Sequence, residues 1–481
     1  MNNLLKGLFF CLSVYALSLQ ANSLKGALQG LVDTLPSGTV YSGLVYDMDT
    51  EQVIFDNGAD FNLVPASILK FLTAVTALDV LGAEYRYKTQ LRVLKRPVKG
   101  VLSDGLGIVF SGDPSLRRQD LKQLILSLKR MGIKKITGPL RLDMGSFRGY
   151  ERAQGVSWDD LNICYAAPSS GGILDGNCFS ATLYPDKKAG NPAALKYDHP
   201  EWHLKVDNRV LTENTNNKVC SLRVYPSSRY EYRLIGCISK ESSPKRLSLA
   251  VNDPQRAVRR FVLGVLRQEG IALQGEVQIG ALPELWSVVL SEHHSEPLTV
   301  LLQSVLERSD NLYADSLLKI LGEQVGSVHL KKTDISSFDR GIMTVRQVLS
   351  DKGVQLGVAR LVDGSGLSRY NYISARAMGG VLMAAWRQWG EKMPWLQGRV
   401  NREFWYKTGT MSGISSMAGY IFPEGRKTPL VFAMILNGVA PQMTASYQEM
   451  RRFRQSLKQF YHRLINTVSG SYQVLAKVEK E

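Results

Sequence analysis

Residues 65–78 read Pro-Ala-Ser-Ile-Leu-Lys-Phe-Leu-Thr-Ala-Val-Thr-Ala-Leu. The pattern is apolar nearly all round, which predicts a buried helix that begins at Ser67. Lys70 follows one turn later on the same face. A buried lysine is costly unless it is paired or neutral, and a neutral lysine accepts a proton from a nearby hydroxyl. Ser67 is therefore a candidate nucleophile and Lys70 its base.

The Ser-x-x-Lys spacing is a weak signal by itself, because it occurs three times, at Ser67, Ser242 and Ser316. Ser242 falls in a polar loop, and the helix that carries Ser316 is expected to turn Lys319 toward solvent. Only the first copy stands at the head of a buried helix, where backbone N–H groups are available for a developing oxyanion.

Two further motifs strengthen the case for Ser67. Ser309-Asp310-Asn311 is the only Ser-x-Asn in the chain, and it falls between two helical patterns. Lys407-Thr408-Gly409 is the only Lys-Thr-Gly, and it precedes a strand-like run. At a strand edge, Gly409 would let a substrate backbone approach closely. The order Ser-x-x-Lys, Ser-x-Asn, Lys-Thr-Gly is that of penicillin-recognising enzymes.

With these motifs, the chain resembles the D-Ala-D-Ala carboxypeptidase/endopeptidases among the class C low-molecular-mass penicillin-binding proteins (the penicillin-binding protein 4, DacB type). The long interval between Lys70 and Ser309 fits that class, which carries two extra domains there. A serine β-lactamase, the competing enzyme class, lacks that interval. A wall-binding scaffold without turnover is the non-enzymatic alternative, and the intact motifs argue against it. Further segments that resemble the family are 112–116, 165–168 and 363–369.

The resemblance assigns a role to each motif. Ser67 would attack the carbonyl between two D-alanines and become acylated, with Lys70 as general base. Ser309 would relay protons together with Lys407, and Asn311 would hydrogen-bond the substrate peptide. Water would then release the acyl group, whereas penicillin would trap the acylated serine. The implied activities are D-Ala-D-Ala carboxypeptidase and D-Ala–meso-diaminopimelate endopeptidase on peptidoglycan peptides, without a cofactor or metal.

The resemblance also implies how substrate is held. Lys407, Thr408 and Thr410 would receive the terminal carboxylate, beside the close approach allowed by Gly409. The backbone N–H groups of Ser67 and Thr410 would form the oxyanion hole.

Three positions match the family less closely. Arg369, after a Gly-Ser-Gly turn, is a candidate to bind a stem-peptide carboxylate. Asp160 is a candidate for the amino end of a diaminopimelate side chain, with Tyr165 packed on it. A surface ion pair or a core aromatic is the alternative interpretation of each. Asp363 is expected to hold its turn through backbone hydrogen bonds.

The predicted fold is α+β, with a penicillin-binding/serine β-lactamase-like transpeptidase domain. A hairpin over residues 39–55 and another over 417–437 would form one antiparallel sheet from both chain ends, flanked by helices. Residues 22–87 and 291–481 would form this discontinuous catalytic domain. Two mostly β domains would be inserted, one from residues 88–160 with 241–290, and a cysteine-containing one from 161–240.

The N-terminus indicates export. Lys6 precedes an apolar run over residues 7–19, and small residues follow at Ala16, Ser18 and Ala21, as in a secretory signal peptide over residues 1–21. A buried N-terminal helix is the alternative, and cleavage after Ser18 and after Ala21 both fit. We expect a periplasmic protein.

Four cysteines remain after the signal peptide, namely Cys164, Cys178, Cys220 and Cys237. An oxidising compartment makes two disulfides the default, with three possible pairings. Cys164–Cys178 and Cys220–Cys237 are favoured because both close short loops. A zinc site is the weaker alternative, since no Cys-x-x-Cys pair exists.

The composition excludes a disordered or multi-span membrane protein, since 44% of residues are hydrophobic and 21% are charged. The net charge of +16 favours anionic cell-wall polymer or lipid headgroups. Nucleic acid is not expected, because the basic residues are dispersed. Residues 446–465 predict a terminal helix that packs on its own domain, with a membrane-surface helix as the alternative. The sequence leaves open whether the protein is a homodimer.

Overall fold

A computed structural model describes residues 24–198, 205–214, 220–228, 231–324, 335–395, 403–439 and 447–478. The predicted signal peptide lies outside these residues. The described residues form two units. We name them the terminal unit, which contains residues 24–76, 345–361 and 369–478, and the middle unit, which contains residues 77–344 and 362–368. The finer division into a catalytic domain and two inserted domains remains a prediction.

The secondary structure is mixed, with strands and helices in both units. The strands are β1 (Val40–Asp47), β2 (Gln52–Asn57), β3 (Lys88–Val93), β4 (Val101–Leu102), β5 (Leu106–Val109), β6 (Lys135–Ile136), β7 (Leu140–Asp143), β8 (Cys178–Tyr184), β9 (Ala194–Tyr197), β10 (Lys205–Glu213), β11 (Leu222–Ser228), β12 (Glu231–Ser239), β13 (Lys245–Ala250), β14 (Ala272–Leu273), β15 (Val277–Ile279), β16 (Val288–His294), β17 (Phe404–Met411), β18 (Gly413–Ile421) and β19 (Leu430–Val439). The helices are α1 (24–32), α2 (Lys70–Leu81), α3 (Arg118–Arg130), α4 (Pro254–Gln268), α5 (Leu298–Glu307), α6 (Asn311–Gln324), α7 (Ser337–Asp351), α8 (Ala375–Trp389) and α9 (Tyr447–Val478).

The terminal unit contains a five-stranded antiparallel sheet in the order β17-β18-β19-β1-β2. Strands β1 and β2 are the predicted N-terminal hairpin, and β18 and β19 are the predicted C-terminal one. Pairing of β1 with β19, from Val40 opposite Asn437 to Asp47 opposite Leu430, joins them. The prediction of one sheet from both chain ends is confirmed.

Helices cover both faces of this sheet. Successive residues of a strand point to opposite faces. Leu44 of β1 accordingly lies against α8, where a Cβ on Gly379 would come 2.5 Å from its Cδ2 atom. The next residue, Val45, belongs to a buried cluster with residues of α1 and α9 on the other face. The sheet is therefore the middle layer of an α-β-α arrangement.

The terminal helix α9 packs on its own unit, as the first of the two interpretations predicted. Its residues Phe460, Tyr461, Leu464 and Ile465 are buried in the cluster that contains the sheet residues. Across the described ranges, no helix combines the length and the apolar composition that a membrane crossing requires.

The middle unit has a core of its own, built from several smaller sheets and two amphipathic helices. Its largest sheet has the order β15-β7-β5-β3-β16, and three-stranded sheets contain β14-β6-β4, β13-β8-β9 and β10-β12-β11. Helices α3 and α4 contribute buried faces to the core that these sheets share. The β-rich character predicted for the middle of the chain is confirmed.

Two disulfides lie in the middle unit. Cys164 pairs with Cys178 at a Cα–Cα distance of 5.4 Å, and Cys220 pairs with Cys237 at 5.1 Å. This is the pairing favoured from the short loops. The first bond holds the segment before β8, and the second ties the start of the β11 hairpin to β12.

Candidate active site

The candidate nucleophile lies in a tight turn that leads into helix α2. Ala66–Leu69 form a 3-10 turn, and the α-helix begins at Lys70 rather than at Ser67 as predicted. Ala66 has a φ of 49°, a left-handed conformation that costs free energy for a residue with a Cβ. Lys70 is fully buried, and its Nζ donates a hydrogen bond to Ser67 Oγ at 3.0 Å. The predicted serine–lysine pair therefore exists within hydrogen-bonding distance.

Strand β17 lies beside this turn. A Cβ added to Gly409 would come 2.8 Å from Ser67 N and 2.8 Å from Pro65 O, so only glycine lets the strand pass this close. The rings of Phe71 and Trp405 also meet edge to face, with centroids 5.6 Å apart, and connect α2 to β17. The terminal unit therefore brings the Lys-Thr-Gly motif next to the nucleophile.

Two polar residues that the sequence analysis missed hold the backbone before Ser67. Asn437 donates from Nδ2 to Val64 O at 3.1 Å, and its Oδ1 accepts from Val64 N at 3.1 Å. Ser416 Oγ donates to Pro65 O. A lone asparagine at the end of the apolar run Leu-Val-Phe-Ala-Met-Ile-Leu was the available signal for the first of them. Together they fix the entry of the chain into the Ser67 turn.

Lys407 is buried, at 4% exposed, and its Nζ donates to Thr408 O at 3.0 Å. Burial disfavours the charged ammonium and lowers the pKa of Lys407 to about 8. Thr408 and Thr410 are exposed on the opposite face of β17 from Lys407 and Gly409. The strand thus presents a buried cation on one face and two hydroxyls on the other.

The Ser-x-Asn motif lies in the middle unit, in the loop between α5 and α6 that the sequence predicted. Ser309 has a φ of 57°, so the loop turns sharply there. Asn311, the first residue of α6, donates from Nδ2 to Tyr165 O at 2.8 Å. The Tyr165 hydroxyl in turn donates to Asp160 Oδ1. Three of the predicted substrate-site residues, Asn311, Tyr165 and Asp160, therefore lie together.

Asp363 holds its turn as expected. Its Oδ1 accepts from Gly366 N at 2.8 Å, and its Oδ2 accepts from Ser368 N at 2.6 Å. Arg369 follows the turn and belongs to the terminal unit, where it donates from an Nη atom to Ser412 O at 3.3 Å. Ser412 connects β17 to β18, so Arg369 lies near the end of the Lys-Thr-Gly strand.

The prediction that Lys319 faces solvent is wrong. Lys319 is 1% exposed, and its Nζ donates to Tyr150 O at 2.8 Å and to Ser169 O at 2.5 Å. Burial lowers the pKa of Lys319 to about 8, against the opposing effect of nearby carboxylates. Leu312, Ser316 and Lys319 follow the i, i+4, i+7 spacing of a core-facing stripe, and that spacing was the signal for its burial.

The site holds no group of metal ligands in the described part of the chain, where no three His, Cys, Asp or Glu side chains cluster as a metal site requires. The chemistry available in the terminal unit is that of a serine hydroxyl beside a lysine amine.

The model of the D-Ala-D-Ala carboxypeptidase 3 (S13) family matches residues 24–460. The D-alanyl-D-alanine carboxypeptidase DacB of Haemophilus influenzae is 30% identical over 91% of this chain and 92% of its own length.

Two solved structures share the fold. The crystal structure of penicillin binding protein 4 (dacB) from Haemophilus influenzae superposes with a TM-score of 0.80 at 28% identity, over 91% of this chain and 99% of the other. The same protein complexed with a novel β-lactam gives a TM-score of 0.75 at 26% identity, over 90% and 98%. The predicted α+β penicillin-binding fold is confirmed, and the chain belongs to the D-Ala-D-Ala carboxypeptidase 3 (S13) family.

Proposed function

We propose that this protein is a serine-type D-Ala-D-Ala carboxypeptidase that also cleaves D-Ala–meso-diaminopimelate crosslinks of peptidoglycan. The observation that carries the proposal is the 3.0 Å hydrogen bond from Lys70 Nζ to Ser67 Oγ, beside the Lys-Thr-Gly strand. Membership of the S13 family supports the substrate class. The complex of penicillin binding protein 4 from Haemophilus influenzae with a β-lactam supports acylation by penicillin.

The reaction proceeds through an acyl-serine. Lys70 removes the proton of Ser67 Oγ, which attacks the carbonyl carbon between the two D-alanines. The C–N bond breaks, and the leaving amine takes a proton. The backbone N–H groups of Ser67 and Thr410 stabilise the oxyanion, and the close approach of Gly409 to Ser67 N supports that pairing. Water then attacks the ester and frees the enzyme. Penicillin acylates Ser67 by the same route, but water releases its acyl group slowly.

The remaining motif residues bind and orient the substrate. Thr408 and Thr410 receive the carboxylate of the leaving residue, and the charge of Lys407, on the other face of the strand, attracts it, with Gly409 giving access to the strand backbone. The two exposed hydroxyls on β17 support this role.

Residues of the Ser-x-Asn motif complete the proposed set. Ser309 relays protons, and Asn311 hydrogen-bonds the substrate peptide. The hydrogen bond from Asn311 to Tyr165 O supports a fixed orientation for that carboxamide.

The diaminopimelate side chain is recognised by one acidic group and one aromatic ring. Asp160 receives its amino end, and Tyr165, which is 48% exposed, packs along it. Arg369 receives a stem-peptide carboxylate. The hydrogen bond between Tyr165 and Asp160 supports their acting as one surface.

The protein acts in the periplasm after export by the signal peptide over residues 1–21. Two disulfides support an oxidising compartment. Exposed basic residues on α9, such as Arg452 and Arg463, suit weak contact with anionic headgroups. Vesicle flotation tests that contact, and gel filtration with light scattering tests for a homodimer.

Mass spectrometry after incubation with benzylpenicillin tests the proposed function. We expect a slowly clearing adduct on the peptide that contains Ser67, and release of D-alanine from a pentapeptide. Ser67→Ala should abolish both, with an unchanged circular dichroism spectrum. An intact drug without adduct would indicate a scaffold. A hydrolysed drug without adduct would indicate a β-lactamase. Turnover by Ser67→Ala would contradict the mechanism.

A further inference from the structure

A cavity of about 280 Å³ lies between the Lys-Thr-Gly strand and the terminal helix, within the terminal unit. Thr408 and Thr410 line it from β17, and Arg454, Lys458 and His462 line it from α9. We name it the α9 cavity. Its lining combines several hydroxyls, among them those of Thr408 and Thr410, with three basic side chains, and this combination suits an anionic ligand.

The α9 cavity includes Thr408 and Thr410, the two residues proposed to hold the carboxylate of the leaving residue, whose side chains lie on the opposite face of β17 from Gly409. Thr408 and Thr410 are the neighbours of Gly409, whose added Cβ would lie 2.8 Å from Ser67 N. Strand β17 is at the end of its sheet, so a substrate that runs along its edge has access to either face. A leaving residue whose carboxylate is held by the two threonines would continue into this cavity.

The row of basic side chains on α9 is longer than a single D-alanine can reach. Arg454, Lys458 and His462 follow one another at i, i+4 and i+8 along α9. Eight residues of helix span about 12 Å, whereas one extended residue spans about 3.5 Å. The row therefore matches a leaving group of several residues with more than one carboxylate.

The floor of the cavity suits an aliphatic chain. Met417 of β18 and Leu457 and Ile465 of α9 line it together with the basic side chains. Arg454 and Lys458 are exposed, so their charges remain hydrated and available to a ligand. An apolar floor with a few convergent polar groups is the usual composition of a small-ligand site.

We propose that the α9 cavity binds the leaving group of a crosslink, namely the acceptor stem peptide with its diamino acid and its carboxylates. The aliphatic chain of the diamino acid lies on the apolar floor, and Arg454, Lys458 and His462 bind the carboxylates beyond it. This inference rests on the proposed function. It implies that α9 promotes crosslink cleavage but not release of a single D-alanine. A bound D-alanine would extend only as far as Thr408 and Thr410 and would not reach α9.

The test compares two substrates in one enzyme. The substrates are a purified crosslinked muropeptide dimer and a monomeric pentapeptide, and kcat/KM is measured for each. The variant is the double substitution Arg454→Gln and Lys458→Gln. The matched control is Arg452→Gln with Arg463→Gln, because these two exposed residues of the same helix do not line the cavity. The rate of acylation by benzylpenicillin verifies that Ser67 is competent.

We expect the ratio of dimer to pentapeptide kcat/KM to fall about tenfold in the variant and to stay within twofold of wild type in the control. Lys458→Arg with Arg454→Lys should restore most of the ratio, because the charges return. Raising the salt concentration should reduce the wild-type ratio and leave that of the variant nearly constant.

An unchanged ratio in the variant, or an equal fall in the control, would overturn the inference. So would a wild-type enzyme that cleaves the pentapeptide but never the dimer. Failure of the proposed function has a different signature, since wild type would then be neither acylated by benzylpenicillin nor active on the pentapeptide.

Discussion

At the residue scale, each unit contains a buried lysine whose ammonium group is held by backbone carbonyls. Lys407 donates to Thr408 O in the terminal unit, and Lys319 donates to Tyr150 O and Ser169 O in the middle unit. Burial lowers the pKa of both to about 8. The first belongs to the proposed site, whereas the second holds together two loop segments. Their titrations should therefore have different consequences.

Activity should decline as the pH rises through about 8, because Lys407 then loses the proton with which it attracts the substrate carboxylate. Stability should change in the opposite direction. The pKa of the folded state is below the ordinary value of 10.5, so the unfolded chain binds more protons between these values, and the free energy of unfolding rises with pH there. The measurement is the second-order rate of acylation by benzylpenicillin from about pH 6 to pH 10.

Two variants identify the residue that causes the fall in acylation rate above about pH 8, which we call the alkaline limb of the pH profile. The arginine of Lys407→Arg stays charged over this pH range, so the alkaline limb should disappear in that variant even if its absolute acylation rate is lower. Lys319→Met should leave the limb in place. A limb near pH 8 that persists in Lys407→Arg would mean that another group controls it.

Lys319→Met should lower the free energy of unfolding by about 3 kcal/mol, because two buried carbonyls lose their donor. The loss should appear in urea unfolding, followed by tryptophan fluorescence. Lys129→Met is the control, since its side chain is 59% exposed in a surface ion pair with Glu269. Such a pair contributes at most about 1 kcal/mol. Equal stability of Lys319→Met and wild type would show that the buried cation is not structural.

At the element scale, the site depends on how closely strand β17 approaches the turn before α2. Ser416 Oγ would lie 2.3 Å from a Cβ on Gly409, and Pro65 O and Ser67 N would each lie 2.8 Å from it. None of these contacts is tolerable, and the last two are with backbone atoms. The strand and the turn would have to separate, which would displace the proposed oxyanion donors.

Gly409→Ala should therefore slow acylation by benzylpenicillin about 100-fold, since displacement of a reacting group by about 1 Å can cost that much. Stopped-flow acylation with a reporter β-lactam measures it. Gly470→Ala is the control, because nothing lies within 4 Å of its added Cβ on helix α9. That change should leave the rate unaltered and stabilise the helix by up to about 1 kcal/mol. An unimpaired Gly409→Ala enzyme would contradict the assigned geometry.

At the scale of the whole molecule, the net charge should affect binding to anionic polymer strongly and acylation of Ser67 only weakly. The chain carries a net charge of +16. Raising the salt concentration from 0.1 M to 1 M shortens the Debye length from about 10 Å to about 3 Å. Co-sedimentation with anionic peptidoglycan should therefore fall severalfold, while acylation by benzylpenicillin changes less than about twofold. A parallel fall in both would place the salt effect in the active site.

The sequence by itself determined the elements whose signals are local. Two hairpins were predicted from alternation and turn residues, the disulfide pairs from loop length, and the nucleophile pair from one turn of an apolar helix. The order of three short motifs was enough to indicate the family. For the hairpins, the disulfides and the nucleophile pair, the decisive interactions join residues that are close in sequence.

Only the tertiary structure decided the features that depend on distant parts of the chain. Asn437 holds Val64, and Gly409 meets Ser67, across several hundred residues of sequence. Lys319 is buried because its carbonyl partners arrive from another segment, although its sequence context suggested solvent. The left-handed Ala66 converts the predicted helix start into a 3-10 turn. A periodic pattern can indicate that a residue such as Lys319 is buried, but it does not indicate which distant atoms the residue meets, because packing between distant segments, rather than local propensity, sets that geometry.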